Sequence, residues 1–392
     1  MKILSVVGAR PNFMKIAPFI RAVERYNSDS SEKIEHILVH TGQHYDIRMS
    51  EAFFKGLSIP APDINLEIGS GSHAEQLGNT MIAFEKVLLE QRPDWVVVVG
   101  DVNATLSCSV VAKRLCLNVC HIEAGLRSGD MTMPEEINRL VTDRISDLLL
   151  TPDRISGENL LREGTPPEKI HFVGNIMIDT LELNREIAAS LQLESVIGKN
   201  LIKGMNSTYN NLENNTYGVI TLHRPSNVDS EKTFRPLIDF LLSEVSKDLK
   251  LIWPIHPRAL KQIKSMQLWE KVISHPSLIL LEPVNYHEML RLNMGARIVF
   301  TDSGGLQEEC CVLGTPCLTM RWNTERPVTL REHGGVSVLV GNNLARIRDE
   351  YRKTMKMERK PSRPELWDGN TAERIVRTLV EFKPVQTKDN ES

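Results

Sequence analysis

The run Trp95-Val96-Val97-Val98-Val99-Gly100-Asp101 decides the fold. Bulky, mostly β-branched residues without polar alternation describe a strand buried on both faces, as strands of parallel sheets are. Gly100 then permits a tight turn, Asp101 follows it, and residues 104–115 carry an amphipathic helical pattern. Outward from this centre the same unit recurs. Strands are expected over residues 3–7, 36–40, 119–122 and 148–151, and helices over 12–26, 73–91 and 134–146. The second half repeats the scheme. Its strands are expected over 217–222, 251–253, 278–281, 298–300 and 316–320, and its helices over 231–242, 286–294 and 306–313, the last closed by Gly314. This alternation predicts an α/β protein of two doubly wound, Rossmann-like domains facing a cleft. The expected division is 1–175, 176–370, and a C-terminal helix with a charged tail over 371–392 that packs back across the domains.

Bulk properties agree with that division. A chain of 392 residues is too long for one ordinary core. Hydrophobic residues at 41% and charged residues at 25% are globular values, and a net charge of -3 gives no reason for a nucleic-acid surface. The N-terminus reads as a strand rather than a secretory signal, and the apolar runs have strand length rather than membrane-spanning length. A cytoplasmic location without membrane association is the expectation. The six cysteines form no Cys-x-x-Cys pair and have no histidine at zinc spacing, so no metal site is expected and the thiols read as reduced.

Doubly wound folds bind ligands at the carboxyl ends of their strands, so those residues are the ones to inspect. The first strand leads into Gly8-Ala9-Arg10-Pro11, and Arg10 and Lys15 flank a helix start able to hold a phosphate. The Gly-x-Gly-x-x-Gly dinucleotide fingerprint is absent there. Asp101 and Glu123 end two strands and suit acid and base roles on one sugar ring. The acids of Pro134-Glu135-Glu136, taken alone, read as ordinary compensation of a helix dipole. His223-Arg224 ends a strand of the second half, where a histidine can donate to a phosphate or move a proton. Asp302-Ser303-Gly304-Gly305 runs from a strand into a helix whose amides can meet a diphosphate, with Glu309 one turn on and Arg326 close in sequence.

These segments, with Thr41-Gly42-Gln43-His44, His121–Arg127, Gly174-Asn175 and Thr324-Glu325-Arg326-Pro327, resemble the non-hydrolysing UDP-N-acetylglucosamine 2-epimerases of the glycosyltransferase-B fold. The resemblance covers most of the chain. It implies interconversion of UDP-N-acetylglucosamine and UDP-N-acetylmannosamine by anti elimination of UDP, through a 2-acetamidoglucal, and re-addition. It also implies a cytoplasmic homodimer that acts on a UDP-sugar without a cofactor. By motif position Asp101, Glu123 and Glu135 become the acid/base carboxylates, which replaces the dipole reading of Glu135. His223, Arg10 and Arg326 fall near the diphosphate, Ser303, Gly304 and Gly305 in its loop, and Glu309 at the ribose. Two positions depart from the pattern: Val102 stands where many bacterial members carry Thr, and Asp46 where substrate-activated members carry Gln. An epimerase acting on UDP-2,3-diacetamido-glucuronate and a glycosyltransferase of the same fold are the alternatives. A hydrolysing epimerase uses the same elimination step, so sequence separates it only softly; a silent nucleotide-sugar sensor fits less well, since it needs no acid/base set.

Overall fold

Parallel strands assemble into two separate sheets, one in each of two units, 1–180 with 365–392 and 181–364. The computed structural model describes residues 1–42, 60–205, 209 and 212–382, with backbone only at residues 10 and 11. Gln43, His44, Asp46 and the charged tail lie outside the described residues.

Unit 1 carries β1 (Lys2–Val7), β2 (Glu35–His40), β3 (Ile64–Asn65), β4 (Trp95–Val99), β5 (Asn118–Ile122), β6 (Leu148–Thr151) and β7 (Ile170–Phe172) in the order β3-β2-β1-β4-β5-β6-β7. Val96, Val97 and Val98 are wholly enclosed, as a double-sided parallel sheet requires. Each such side chain adds roughly 1.5–3 kcal/mol relative to exposure. The chain runs outward from β1 to β3, then crosses back to β4 on the other side of β1. That reversal leaves a switch point where β1 and β4 part. Helices α1 (Arg10–Asp29), α2 (His73–Gln91), α3 (Asn103–Arg114), α4 (Pro134–Ile145) and α5 (Arg154–Arg162) cover the sheet.

Unit 2 repeats the plan. Its strands β8 (Tyr217–Thr221), β9 (Lys250–Pro254), β10 (Leu278–Leu281), β11 (Ile298–Thr301), β12 (Cys317–Thr319) and β13 (Ser337–Leu339) lie in the order β10-β9-β8-β11-β12-β13, with the switch point between β8 and β11.

The observed boundaries, 180/181 and 364/365, differ from the expected 175/176 and 370/371. On the first side the helix Ile176–Ser190 begins at the expected break and spans the observed one. On the second, Trp367 is buried in unit 1 and its indole Nε1 donates to the Pro152 carbonyl at 3.0 Å. The C-terminal helix Thr371–Glu381 belongs to unit 1, where it lies along α1 and Arg25 meets Glu373 at 2.7 Å. The Asp179 carboxylate caps that helix, accepting from the Thr371 and Ala372 amides at 3.1 and 2.7 Å.

α4 is inside out. Its buried residues are Glu136, Asn138, Arg139, Thr142 and Asp143, while Ile137 and Val141 face outward. A surface helix ordinarily turns an apolar stripe to the core.

Candidate active site

In unit 1 the ends of β1, β4 and β5 lie side by side, with Val98 opposite His121 and Val99 opposite Ile122. Asn12, in the first turn of α1, ties two of these ends together. Its Oδ1 accepts from the Gly8 and Ala9 amides at 3.2 and 3.0 Å, and its Nδ2 donates to the Val99 carbonyl at 2.8 Å. Lys15, one turn further along α1, is buried and its ammonium pairs with the Glu123 carboxylate. The sequence reading gave Lys15 to a phosphate. The structure turns it inward, because a side chain at Gly100 would place its Cβ 3.0 Å from the Lys15 Nζ and its absence leaves the lysine room. Arg10 opens α1, and only its backbone is described.

Glu123 takes a left-handed backbone, φ 72°, and is 3% exposed. For a residue other than glycine this conformation costs of order 1–3 kcal/mol and persists only where the surroundings over-determine it. Its amide and that of Ala124 both donate to the Leu150 carbonyl at 3.1 Å. Asp101 follows the left-handed Gly100 and forms an ion pair with Arg139 of α4. Arg139 also reaches Glu136, at 3.0 Å from Nε and 2.6 Å from Nη2. Glu136 in turn accepts from the Ser128 and Gly129 amides, the latter at 2.8 Å. Burial works against charge on Glu136, but these amides and Arg139 hold its carboxyl below the usual range.

Glu135 sits in the first turn of α4, exposed, and makes no ion pair among the described residues. Val102 occupies the N-cap of α3, where its side chain gives no cap hydrogen bond and packs on the apolar cluster of that face. Sequence reasoning missed Glu136, Arg139 and Asp143. Their spacing of three and four residues on one helix face was the available signal.

In unit 2, Thr221 and Thr301 end the neighbouring strands β8 and β11, and their hydroxyls meet at 2.6 Å. Asp302 is fully buried and gathers the turn after β8. It accepts from the His223 amide at 3.0 Å, the Arg224 amide at 2.9 Å and Asn227 Nδ2 at 3.0 Å, and the His223 Nδ1 lies 2.8 Å away. Burial opposes its charge, yet His223, Asn227 and Arg224 hold its carboxyl below the ordinary range. His223 keeps a partly exposed ring beside that of His256.

Ser303 stands at the N-cap of the helix Gly304–Leu313 without a side-chain cap hydrogen bond, and its own amide donates to Thr301 Oγ1 at 3.0 Å. A Cβ on Gly304 would lie 2.7 Å from Glu325 Oε1 and 2.9 Å from Arg326 Nη1, whereas one on Gly305 would meet nothing within 4 Å. The backbone at Gly305 is therefore open to a ligand at a helix N-terminus. Arg326 is buried between Glu308, at 2.6 Å, and Glu325, which also binds Arg321 at 2.6 Å. Glu309 is buried beside Tyr286 and Asn293, and burial pushes its carboxyl up to about 7.

Each unit thus presents its candidate residues at its own switch point. Unit 1 gathers Lys15, Asp101 and Glu123, and unit 2 gathers His223, Ser303, Gly304, Gly305 and Arg326. The first set can exchange protons and the second can receive an anion.

Residues 27–380 match the UDP-N-acetylglucosamine 2-epimerase family. A UDP-N-acetylglucosamine 2-epimerase of Methanocaldococcus jannaschii is 40% identical over 381 residues, 97% of this chain and 99% of the relative. The crystal structure of the M. jannaschii UDP-GlcNAc 2-epimerase in complex with UDP-GlcNAc and UDP superposes with a TM-score of 0.84 at 40% identity, covering 97% of this chain and 99% of that one. A UDP-2,3-diacetamido-2,3-dideoxy-D-glucuronate 2-epimerase of Pseudomonas aeruginosa is 37% identical over 346 residues, 87% of this chain and 88% of the relative.

Proposed function

The chain belongs to the UDP-N-acetylglucosamine 2-epimerase family, and from that premise we propose that it interconverts UDP-N-acetylglucosamine and UDP-N-acetylmannosamine. The observation that carries the reading is the pairing of Asp101 and Glu123 at adjacent strand ends of unit 1.

The chemistry asks for such groups. No carbonyl activates the C2 proton, so its removal must be helped by departure of UDP from C1. The C2–H pair becomes the double bond of 2-acetamidoglucal as the C1–O pair leaves with UDP. Protonation of C2 on the opposite face and return of the UDP oxygen to C1 complete the inversion. Asp101, Glu123 and Glu135 take the proton-transfer roles. His223, Arg10 and Arg326 act at the diphosphate, Ser303, Gly304 and Gly305 offer it the helix N-terminus, and Glu309 meets the ribose. Donors fixed in place stabilise the charge developing on the leaving diphosphate. Lys15 serves this scheme as the partner of Glu123.

A second substrate is favoured by one observation, the 37% identity to a UDP-2,3-diacetamido-glucuronate 2-epimerase. Incubation with UDP-N-acetylglucosamine in deuterated water, followed by proton NMR, separates the readings. UDP-N-acetylmannosamine deuterated at C2 is the expected product. Free UDP with free N-acetylmannosamine would indicate a hydrolysing enzyme. No change, with turnover of the diacetamido-glucuronate instead, would favour the second substrate.

The working form is proposed as a cytoplasmic homodimer. The exposed Ile82 and Leu89 of α2 and Ile137 and Val141 of α4 support it, and light scattering measures it.

A further inference from the structure

Asp143 lies on the same face of α4 as Glu136 and Arg139, but touches neither carboxylate of the proposed acid/base pair. It is 3% exposed. Its Oδ1 lies 2.6 Å from His121 Nδ1, and its Oδ2 accepts from the Gly125 amide at 3.0 Å and from Arg127 Nη1 at 2.6 Å. His121 has no exposed surface, and its other nitrogen, Nε2, lies 2.8 Å from the Gly100 carbonyl. A carbonyl oxygen only accepts, so Nε2 carries a hydrogen. Burial opposes charge on Asp143, but His121 and Arg127 hold its carboxyl below the ordinary range. His121 thus bridges the Asp143 carboxylate and the Gly100 carbonyl through its two ring nitrogens.

The turns that these bonds reach are the two that matter. Gly100, φ 68°, immediately precedes Asp101. Gly125, φ 82°, follows the strained Glu123 by two residues, and a Cβ there would lie 2.3 Å from the Ser156 carbonyl oxygen, so that turn has no slack. One carboxylate therefore grips the Glu123 turn directly and the Asp101 turn through the histidine.

We propose that Asp143, acting through His121, is the positioning residue that fixes Asp101 and Glu123 relative to one another. The inference rests on the reading of those two as the acid/base pair. Displacing a reacting group by about 1 Å costs of order a hundredfold in rate. Substrate binding does not depend on that alignment in the same degree.

The test uses the full chain, with UDP-N-acetylglucosamine as substrate. Asp143→Asn puts an amide NH2 where a donor must be accepted, and is expected to lower kcat by about 100-fold while KM and calorimetric UDP affinity stay within about 2-fold. His121→Gln breaks the link from Asp143 to the Gly100 carbonyl, and is expected to lower kcat by at least about 10-fold while UDP affinity stays within about 2-fold. A folded Asp143→Asn with wild-type kcat, or with KM raised and kcat kept, overturns the proposal. A folded His121→Gln with wild-type kcat overturns it as well, and this measurement decides if Asp143→Asn does not fold. Asp101→Asn and Glu123→Gln run alongside. If they retain turnover, the acid/base reading fails. If they lose it while Asp143→Asn is unaffected, only the positioning role fails.

Discussion

The two switch points solve the same structural problem with different materials. In each, a buried aspartate pins the turn that carries the site residues, Asp143 in unit 1 and Asp302 in unit 2. Beyond that they diverge. Unit 1 packs charged side chains against one another, Lys15 on Glu123 and Arg139 on Asp101 and Glu136, and holds a glutamate in a left-handed backbone. Unit 2 offers backbone amides at a helix start, two glycines, and an arginine already balanced by carboxylates. Proton transfer needs groups whose position is enforced even at a cost in strain. Anion binding needs open donors and room. The contrast accords with the proposed division, in which the acid/base carboxylates come from unit 1 and the diphosphate loop from unit 2.

The sharpest way to break the contrast is at the carboxylates. Asp101→Asn or Glu123→Gln is expected to lower kcat by about 10³-fold, with UDP affinity by calorimetry nearly unchanged. Loss of UDP affinity would make unit 1 a binding unit as well.

The next test falls on the glycines of unit 2. Gly305→Ala enters open space, so thermal stability is expected to hold while UDP affinity drops by about 10-fold. Gly304→Ala forces the new Cβ against Glu325 and Arg326, so both stability and affinity are expected to fall. Equal effects of the two on melting temperature would remove the distinction between ligand space and ion-pair space.

Acid separates one residue in each unit by sign. Burial lowers His36 to about 4, so the unfolded chain binds its proton first, and stability present above pH 6.5 is lost as pH falls toward 4. The loss is of order 3 kcal/mol. Glu309, raised to about 7, works the other way: its contribution is full below pH 4.5 and is lost as pH rises through 7. Asp179, raised by burial to about 6, opposes His36 within unit 1. Melting curves between pH 5 and 7.5 are therefore expected to improve at the acid end for His36→Gln relative to wild type. They are expected to lose part of their fall toward neutral pH for Glu309→Gln. A Glu309→Gln profile parallel to wild type would place that carboxyl in contact with solvent.

The smallest effect is a control. Arg154 and Glu365 pair at 2.6 Å on the exposed surface of unit 1, and Arg154→Ala is expected to change stability by less than about 1 kcal/mol. A larger loss would mean that ion pairs matter in unit 1 wherever they sit, and not only where they are enclosed.

Much of this was legible in the sequence because the central strands are long and apolar. β1, β4, β8 and β11 announce themselves, and the residues that follow them stand at the switch points. The edge strands β3, β7 and β13 were not legible, since two or three partly buried residues leave no period to read. The ion pair of Lys15 with Glu123 was not legible, because a sequence does not say which way a lysine on a helix start turns. Asp143 and Arg139 went unseen for a related reason. Polar residues at helical spacing ordinarily mark the wet face, and in α4 they mark the dry one.

That inversion bears on anyone who would re-engineer the molecule. Rules that place apolar residues inside and polar ones outside would rotate α4 by roughly half a turn, exchanging Ile137 and Val141 for Arg139 and Asp143. The redesigned helix would satisfy every patterning criterion, gain oiliness in its interior, and erase the lattice of hydrogen bonds that holds two turns in place. Local disagreement between sequence and environment is where natural proteins keep their working parts. In this chain α4 is a segment to be left out of any consensus or hydropathy-driven stabilisation.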